Sequence, residues 1–397
     1  MRGHLPPANA HRCLIVLTLL ALAACSAPMR EADVAAEPAL RASSDRFWQH
    51  IDEDTGGDWF HLLSDSAEAL AWRLRMIDSA HHAIDMETFL WKGDRGGAQV
   101  LSHLLAAADR GVQVRLLLDD SLTAGEDVTL AAVDAHPNIA LRIYNPYRVR
   151  AGGIAGRTLF NLTDFGRVNH RLHNKTLAVD GWVANTGGRN LAAEYFGLHD
   201  SYNFRDMEVM VMGDSVASVA GHFAAFWNSG WAFPANQLLD VDHGEEDLAA
   251  LRTTLLEQVG PVSPAGEPEL EALWGAVARD AVSGRAWFVA DEPPSAEADP
   301  EEVRPVQLAR YIIDSIDRAE DEVILVTAYL VPTEGLMRVV ERTLARGVRI
   351  RILTNSLRSN NHLAAHAAYS RYVRDLVAAG VELYELRADA ADRNLYM

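Results

Sequence analysis

His173–Asn190 reads HNKTLAVDGWVANTGGRN. Two strand-like runs, Thr176–Val179 and Trp182–Thr186, flank Asp180-Gly181, and Asp-Gly is a strong signal for a two-residue hairpin turn. Such a turn sets His173 opposite Gly188 and Lys175 opposite Thr186. His173 and Lys175 are two apart on one strand, so they share a face. The hairpin is expected to present an imidazole and an ammonium beside Gly187-Gly188, where missing side chains leave an anion room to approach the backbone. Asn190 adds an amide donor. An anion pocket with a nucleophile at its edge is what phosphodiester chemistry needs. Asp180 reads as a turn residue or ion-pair partner, with a direct chemical role as the alternative.

Outward from the hairpin, the chain repeats itself. Ala71–Ala80 reads as a helix, Ala83–Trp91 as a strand, Gly97–Arg110 as an amphipathic helix and Val112–Leu118 as an apolar strand. Leu308–Arg318, Glu322–Leu330, Gly335–Arg346 and Val348–Leu353 repeat that order. Arg110-Gly111-Val112 is answered by Arg346-Gly347-Val348, 236 residues later. Ile77-Asp78-Ser79 is answered by Ile313-Asp314-Ser315, and Arg115-Leu116-Leu117 by Arg351-Ile352-Leu353. This is an internal duplication. Strands alternating with helices predict an α/β fold, a mixed sheet flanked by helices in duplicated lobes. The expected units are a first lobe at 46–235, a connecting segment at 236–305 ending in the Pro- and acid-rich stretch Pro293–Pro305, and a partial second lobe at 306–397.

The chain has 397 residues, 49% of them hydrophobic, and a formal net charge of −19. That is enough apolar material for a large core. The acidic balance argues against a nucleic-acid partner, which calls for a basic face. Lys92 and Lys175 are the only lysines; every other cation is arginine. A compact ammonium inside the motif is thus a departure from the chain's habit. The two cysteines, Cys13 and Cys25, precede the lobes, so no cysteine metal site or disulfide framework is available to the folded part. His81-His82 reads as a solvated turn.

The pattern His173, Lys175, Asp180, then Gly187-Gly188-Arg189-Asn190 resembles the phospholipase D superfamily, whose signature is HxKxxxxD followed by GSxN. Gly188 stands where serine is usual. The GGRN form resembles the cardiolipin synthase C-like branch, as do Phe165–Asn174 (FGRVNHRLHN), Glu194-Tyr195-Phe196, Phe204-Arg205-Asp206 and Phe226-Trp227-Asn228. The resemblance implies a phospholipase D-like sandwich. It implies that His173 is the nucleophile on phosphorus, and that Lys175 and Asn190 hold the phosphate with Gly187 and Gly188. It also implies a carboxylate that orients the nucleophilic ring, here Glu208, with Asp206 as alternative, and neither metal nor cofactor. The substrate implied is a phospholipid of the phosphatidylglycerol or phosphatidylethanolamine type. Hydrolase and transferase share these residues. A nuclease of the same superfamily and a non-catalytic headgroup-binding envelope protein are the competing readings.

Residues 1–12 are basic and 14–22 apolar, the pattern of a signal peptide. Leu22-Ala23-Ala24-Cys25-Ser26 resembles the lipobox of bacterial lipoproteins. That resemblance implies lipidation of Cys25, a tether at 26–45, and a place on the periplasmic side of the cell envelope, the outer membrane above the inner. Family members use a second histidine from a second motif. The duplication would put it near position 410, and no second His-x-Lys occurs in the sequence. The second lobe is therefore expected to be incomplete, as in a truncated or frameshifted copy of a two-motif enzyme, and the chain poorly active alone, with a homodimer as the alternative way to complete the site.

Overall fold

The Asp180-Gly181 hairpin forms, and it lies in the middle of the main sheet. The structure is a computed structural model that describes residues 32, 34–40, 45–53, 58–150, 153–161, 164–239, 244–294 and 307–387. The signal peptide with Cys25, most of the tether and the residues after 387 lie outside the described residues. Among the described residues, nine strands form one sheet: β1 (Trp59–Leu63), β2 (Ala83–Thr88), β3 (Gln113–Asp119), β4 (Ile139–Tyr144), β5 (Thr176–Val179), β6 (Val183–Gly187), β7 (Glu208–Met212), β8 (Ala232–Pro234) and β9 (Val282–Ser283), in the order β8-β4-β3-β2-β5-β6-β7-β1-β9. β2, β3 and β4 run parallel, and the other pairings are antiparallel. The sheet is mixed, as expected.

The hairpin's register differs from the expected one by a residue. Val179 pairs with Val183 and Thr176 with Thr186, so the loop has three residues, Asp180-Gly181-Trp182. Asp180 and Gly181 both take positive φ, 53° and 71°. The physical reason is Asp180 itself. Its carboxylate accepts hydrogen bonds from Trp48 Nε1 (2.8 Å) and from the amides of His81 (2.8 Å), His82 (2.9 Å) and Ala83 (2.7 Å). These donors fix the turn against the start of β2. The one-residue shift carries Lys175 towards Gly187 instead of Thr186.

Leu116, Leu118 and Leu141 face helix Arg95–Asp109 and its neighbours, while Leu117 and Tyr144 pack under helix Ser215–Trp227. With both faces covered, the middle of β3 is mostly apolar, from Val114 to Leu118. Arg115 is the polar exception. Buried, it makes a two-pronged bond to Asp85, 2.7 Å at each oxygen, and its guanidinium lies over the Phe223 and Trp227 rings.

Residues 244–283, expected as part of a connecting segment, pack onto the first unit through helices Glu245–Val259 and Glu267–Asp280, and β9 extends its sheet beside β1. Trp274 is fully buried against Trp48, Trp59 and Trp72, and its Nε1 donates to Ser79 Oγ at 2.8 Å. The charged composition of this stretch lies on the outward faces of amphipathic helices, which composition alone does not separate from a linker. His81 and His82 are likewise not simply solvated, since both ring systems meet Asp45, at 2.8 and 3.1 Å.

The duplication is real at the level of structure. β10 (Glu322–Val326), β11 (Arg349–Asn355) and β12 (Glu382–Leu386) form a separate parallel sheet in the order of β2-β3-β4. Arg351 repeats the device of Arg115, forking onto Glu322 at 2.9 and 2.8 Å. One face of this sheet packs Ile350, Ile352 and Leu376 into its own core; the other leaves Ile324, Val326 and Tyr384 exposed.

Candidate active site

The site lies past the carboxyl ends of the parallel strands, the usual place for ligands in α/β sheets. Lys175 is buried, and its Nζ donates to the His173 carbonyl at 2.7 Å and stands 3.3 Å from His173 Nδ1. Phe89, just after β2, backs both groups: its ring centroid is 4.8 Å from the His173 ring and 5.5 Å from the ammonium. Burial, reinforced by the Lys175 charge, pushes His173 down to about 4. Burial also pulls Lys175 down to about 8, against the opposing pull of Asp206, Asp119 and Glu87. At neutral pH the imidazole is therefore unprotonated, and the neighbouring ammonium is still charged.

The two glycines work differently from the sequence expectation. A side chain at Gly187 would stand 2.4 Å from the Met207 carbonyl oxygen and 2.6 Å from Glu208 Cα, the backbone of β7. At Gly188 a Cβ would meet the Asp206 carboxylate at 2.2 Å, and the Gly188 amide donates to the Met207 carbonyl. The patch is not open space for a phosphate. Glycine is needed at 187 because β7 lies against it, and Asp206 fills the space over 188. Gly187→Ala should cost about 3 kcal/mol or more of stability, because backbone cannot yield. Gly188→Ser needs only the flexible Asp206 side chain to swing away. Urea unfolding of the two variants checks this; equal losses would refute it.

Asn190 links the segment after β2 to Tyr195. Its Oδ1 accepts from the Leu90 amide (3.2 Å) and its Nδ2 donates to Tyr195 Oη (2.8 Å). Glu208, expected to orient the nucleophilic ring, makes its ion pairs with arginines. It is buried and ion-paired with Arg73, receives Asn185 Nδ2 at 3.4 Å and lies 3.9 Å from Arg189. Its place on β7 is directly opposite Gly187, on the face that Lys175 shares, and its carboxylate is engaged by these cations. Asp180 is also removed from the chemistry: it stands at the far end of β5, with its carboxylate committed to the turn.

Three residues near the site were not singled out from sequence. Asp119, the last residue of β3, accepts from the Leu172 amide at 2.8 Å and so holds the segment that delivers His173. Its signal was an acid closing an apolar run. Lys92, the other lysine, pairs with the buried Glu194 at 2.5 Å. Glu87 lies on the opposite face from Lys175. It accepts from Thr176 Oγ1 (3.0 Å) and Asn174 Nδ2 (3.4 Å), and His222 is 3.9 Å away. Burial pushes the Glu87 carboxyl up to about 7, from an ordinary 4.5. The folded chain then keeps a proton that the unfolded chain releases. The associated stability is fully present below pH 4.5 and is lost as pH rises through 7, about 3 kcal/mol by linkage. Glu87→Gln should flatten that decline. Urea midpoints at pH 5 and 8 measure it, and a variant that loses as much as the parent would contradict it.

The family described as "Cardiolipin synthase, PLD-like domain" matches residues 74–227 and 312–395. Cardiolipin synthase C of Escherichia coli (strain K12) is 35% identical over 338 residues, covering 82% of this chain and 68% of that protein. The chain belongs to the phospholipase D superfamily, in its cardiolipin synthase-like branch. The two matched segments of this phospholipase D-like chain correspond to the nine-stranded unit with the motif and to the three-stranded repeat. A protein of Helicobacter pylori (strain ATCC 700392 / 26695) is 27% identical over 382 residues, 93% of this chain and 73% of its own. Among solved structures, the phosphatidylserine synthase of Haemophilus influenzae Rd KW20 superposes with a TM-score of 0.53 at 13% identity, covering 85% of this chain and 76% of that one. That likeness supports the phospholipase D-like fold.

Proposed function

We propose that this chain is a phosphatidyltransferase of the cardiolipin synthase type. The observation that carries the reading is the buried His173–Lys175 pair, an imidazole held neutral at physiological pH beside a charged ammonium. His173 attacks the phosphorus of a phosphatidylglycerol-type donor, the P–O bond to the headgroup alcohol breaks, and the phosphatidyl group rests on the imidazole. Attack by the hydroxyl of a second lipid returns the imidazole and completes transfer; attack by water gives hydrolysis. Lys175 offsets the charge that grows on the phosphoryl oxygens, an interaction strengthened by its buried setting. The departing alcohol takes its proton from a second histidine. A homodimer is one way to bring up a second histidine, held protonated by its own surroundings.

Lipidation at Cys25 would hold the site at the periplasmic face of a membrane, with the outer membrane favoured by Ser26. A tether of this kind turns a search in bulk into a local encounter with a substrate that never leaves the bilayer. The test is incubation of the full chain with phosphatidylglycerol vesicles and analysis of the lipids. Cardiolipin with released glycerol supports transfer, and phosphatidic acid with glycerol assigns water as acceptor. No lipid product from folded protein, alone or with a partner supplying the second motif, overturns the reading.

A further inference from the structure

A cavity of about 260 Å³ lies between helix Arg95–Asp109, helix Asp127–Asp134, helix Glu245–Val259 and the inner face of β3. Its walls are mainly apolar, with Trp91, Leu101, Leu118, Leu130 and Leu255 among them. We infer that this cavity receives one acyl chain of the phospholipid whose phosphodiester sits at His173. The inference rests on the phosphatidyltransferase reading and adds a binding site for the apolar part of the substrate.

Three observations join the cavity to the site. First, its wall and the motif are stitched together. The Leu90 amide donates to Asn190 Oδ1, the Lys92 amide to the Leu191 carbonyl at 2.9 Å, and the Ala193 amide to Asp94 Oδ2 at 2.9 Å. Trp91, within that stitched segment, has its indole in the cavity wall. Gly97 makes this possible, since a Cβ there would stand 2.8 Å from the indole and 2.0 Å from the Lys92 carbonyl. Second, Leu118 on the sheet side directly precedes Asp119, which holds the Leu172 amide next to His173. Third, the elements around the cavity carry exposed apolar side chains next to its lining residues. Leu122 (38% exposed), Val128 (55%) and Leu256 (54%) adjoin Thr123, Thr129 and Leu255. An apolar hollow with an apolar rim, sharing a backbone segment with an anion site, suits an amphiphile with a phosphate at one end and a hydrocarbon chain at the other.

The experiment uses phosphatidylglycerol with a diazirine at the end of one acyl chain, in mixed micelles with the full chain, followed by irradiation and peptide mapping. Labelling is expected on Leu101, Leu130 and Leu255. It should fall when glycerophosphoglycerol, the deacylated headgroup, is added, and should be largely lost in Thr129→Trp, which plugs the hollow from its rim. Mapping on the unsubstituted chain keeps the test decisive should that variant misfold. Labels confined to other surfaces, yet displaced by glycerophosphoglycerol, overturn the cavity and leave the phosphodiester reading standing. A labelled cavity indifferent to the headgroup overturns the coupling between cavity and site. Indifference everywhere, together with no lipid product, overturns both.

Discussion

His173→Ala is expected to abolish lipid product formation, with a loss of ~10³-fold or more, as removal of a nucleophile generally produces. The same substitution should remove a covalent phosphatidyl adduct that mass spectrometry detects on the unsubstituted chain when the reaction is quenched at neutral or alkaline pH. The argument rests on protonation. An imidazole at its ordinary value near 6.5 is partly blocked by a proton at physiological pH; burial and the Lys175 ammonium push this one down to about 4. It is therefore unprotonated through the physiological range, and Phe89 limits where the ring can lie. His173→Gln, similar in reach but not nucleophilic, should be as inactive as alanine while binding lipid about as well. Retained turnover in either variant, or an adduct mapped to another residue, would sink the assignment.

Lys175 should give the second largest effect, and one with a pH signature. Lys175→Met removes the charge that faces the phosphoryl oxygens and is expected to lower kcat by about 10²–10³. In the unsubstituted enzyme kcat/KM should rise as pH passes the low value of His173, near 4, because the free imidazole is the active form. It should fall as pH passes about 8, where Lys175 loses its proton. Lys175→Arg retains a charge that does not titrate in this range. Its residual activity should therefore lack the alkaline decline, whatever its absolute level. In Lys175→Met the acid limb should also move to higher pH, because one of the two causes depressing His173 is gone. An alkaline limb unchanged in Lys175→Arg would assign it to another group.

The sequence by itself determined the α/β class, the duplication and the pairing of His173 with Lys175. Each follows from short-range chemistry. Asp180-Gly181 accepts positive φ and folds the hairpin, alternation puts His173 and Lys175 on one face, and repeated words such as Arg-Gly-Val mark the same helix-to-strand turn twice. The tertiary structure alone decided what the polar and glycine residues do. Glu208 reads from sequence as an acid free to support a histidine. Its partner became fixed only when helix Ser66–Asp78 brought Arg73 across from 135 residues away. Asp180 reads as a turn residue near the chemistry, yet four donors from the start of β2 and from Trp48 bind it at the far end of the strand. Gly187 and Gly188 read as room for a phosphate, whereas β7 and Asp206 fill that room. Residues 245–283 read as a charged connection, and only the packing of Trp274 shows them to be part of the first core. A side chain's type limits the bonds it can make, but its partner is set by which strands and helices arrive beside it, and those lie far away along the chain.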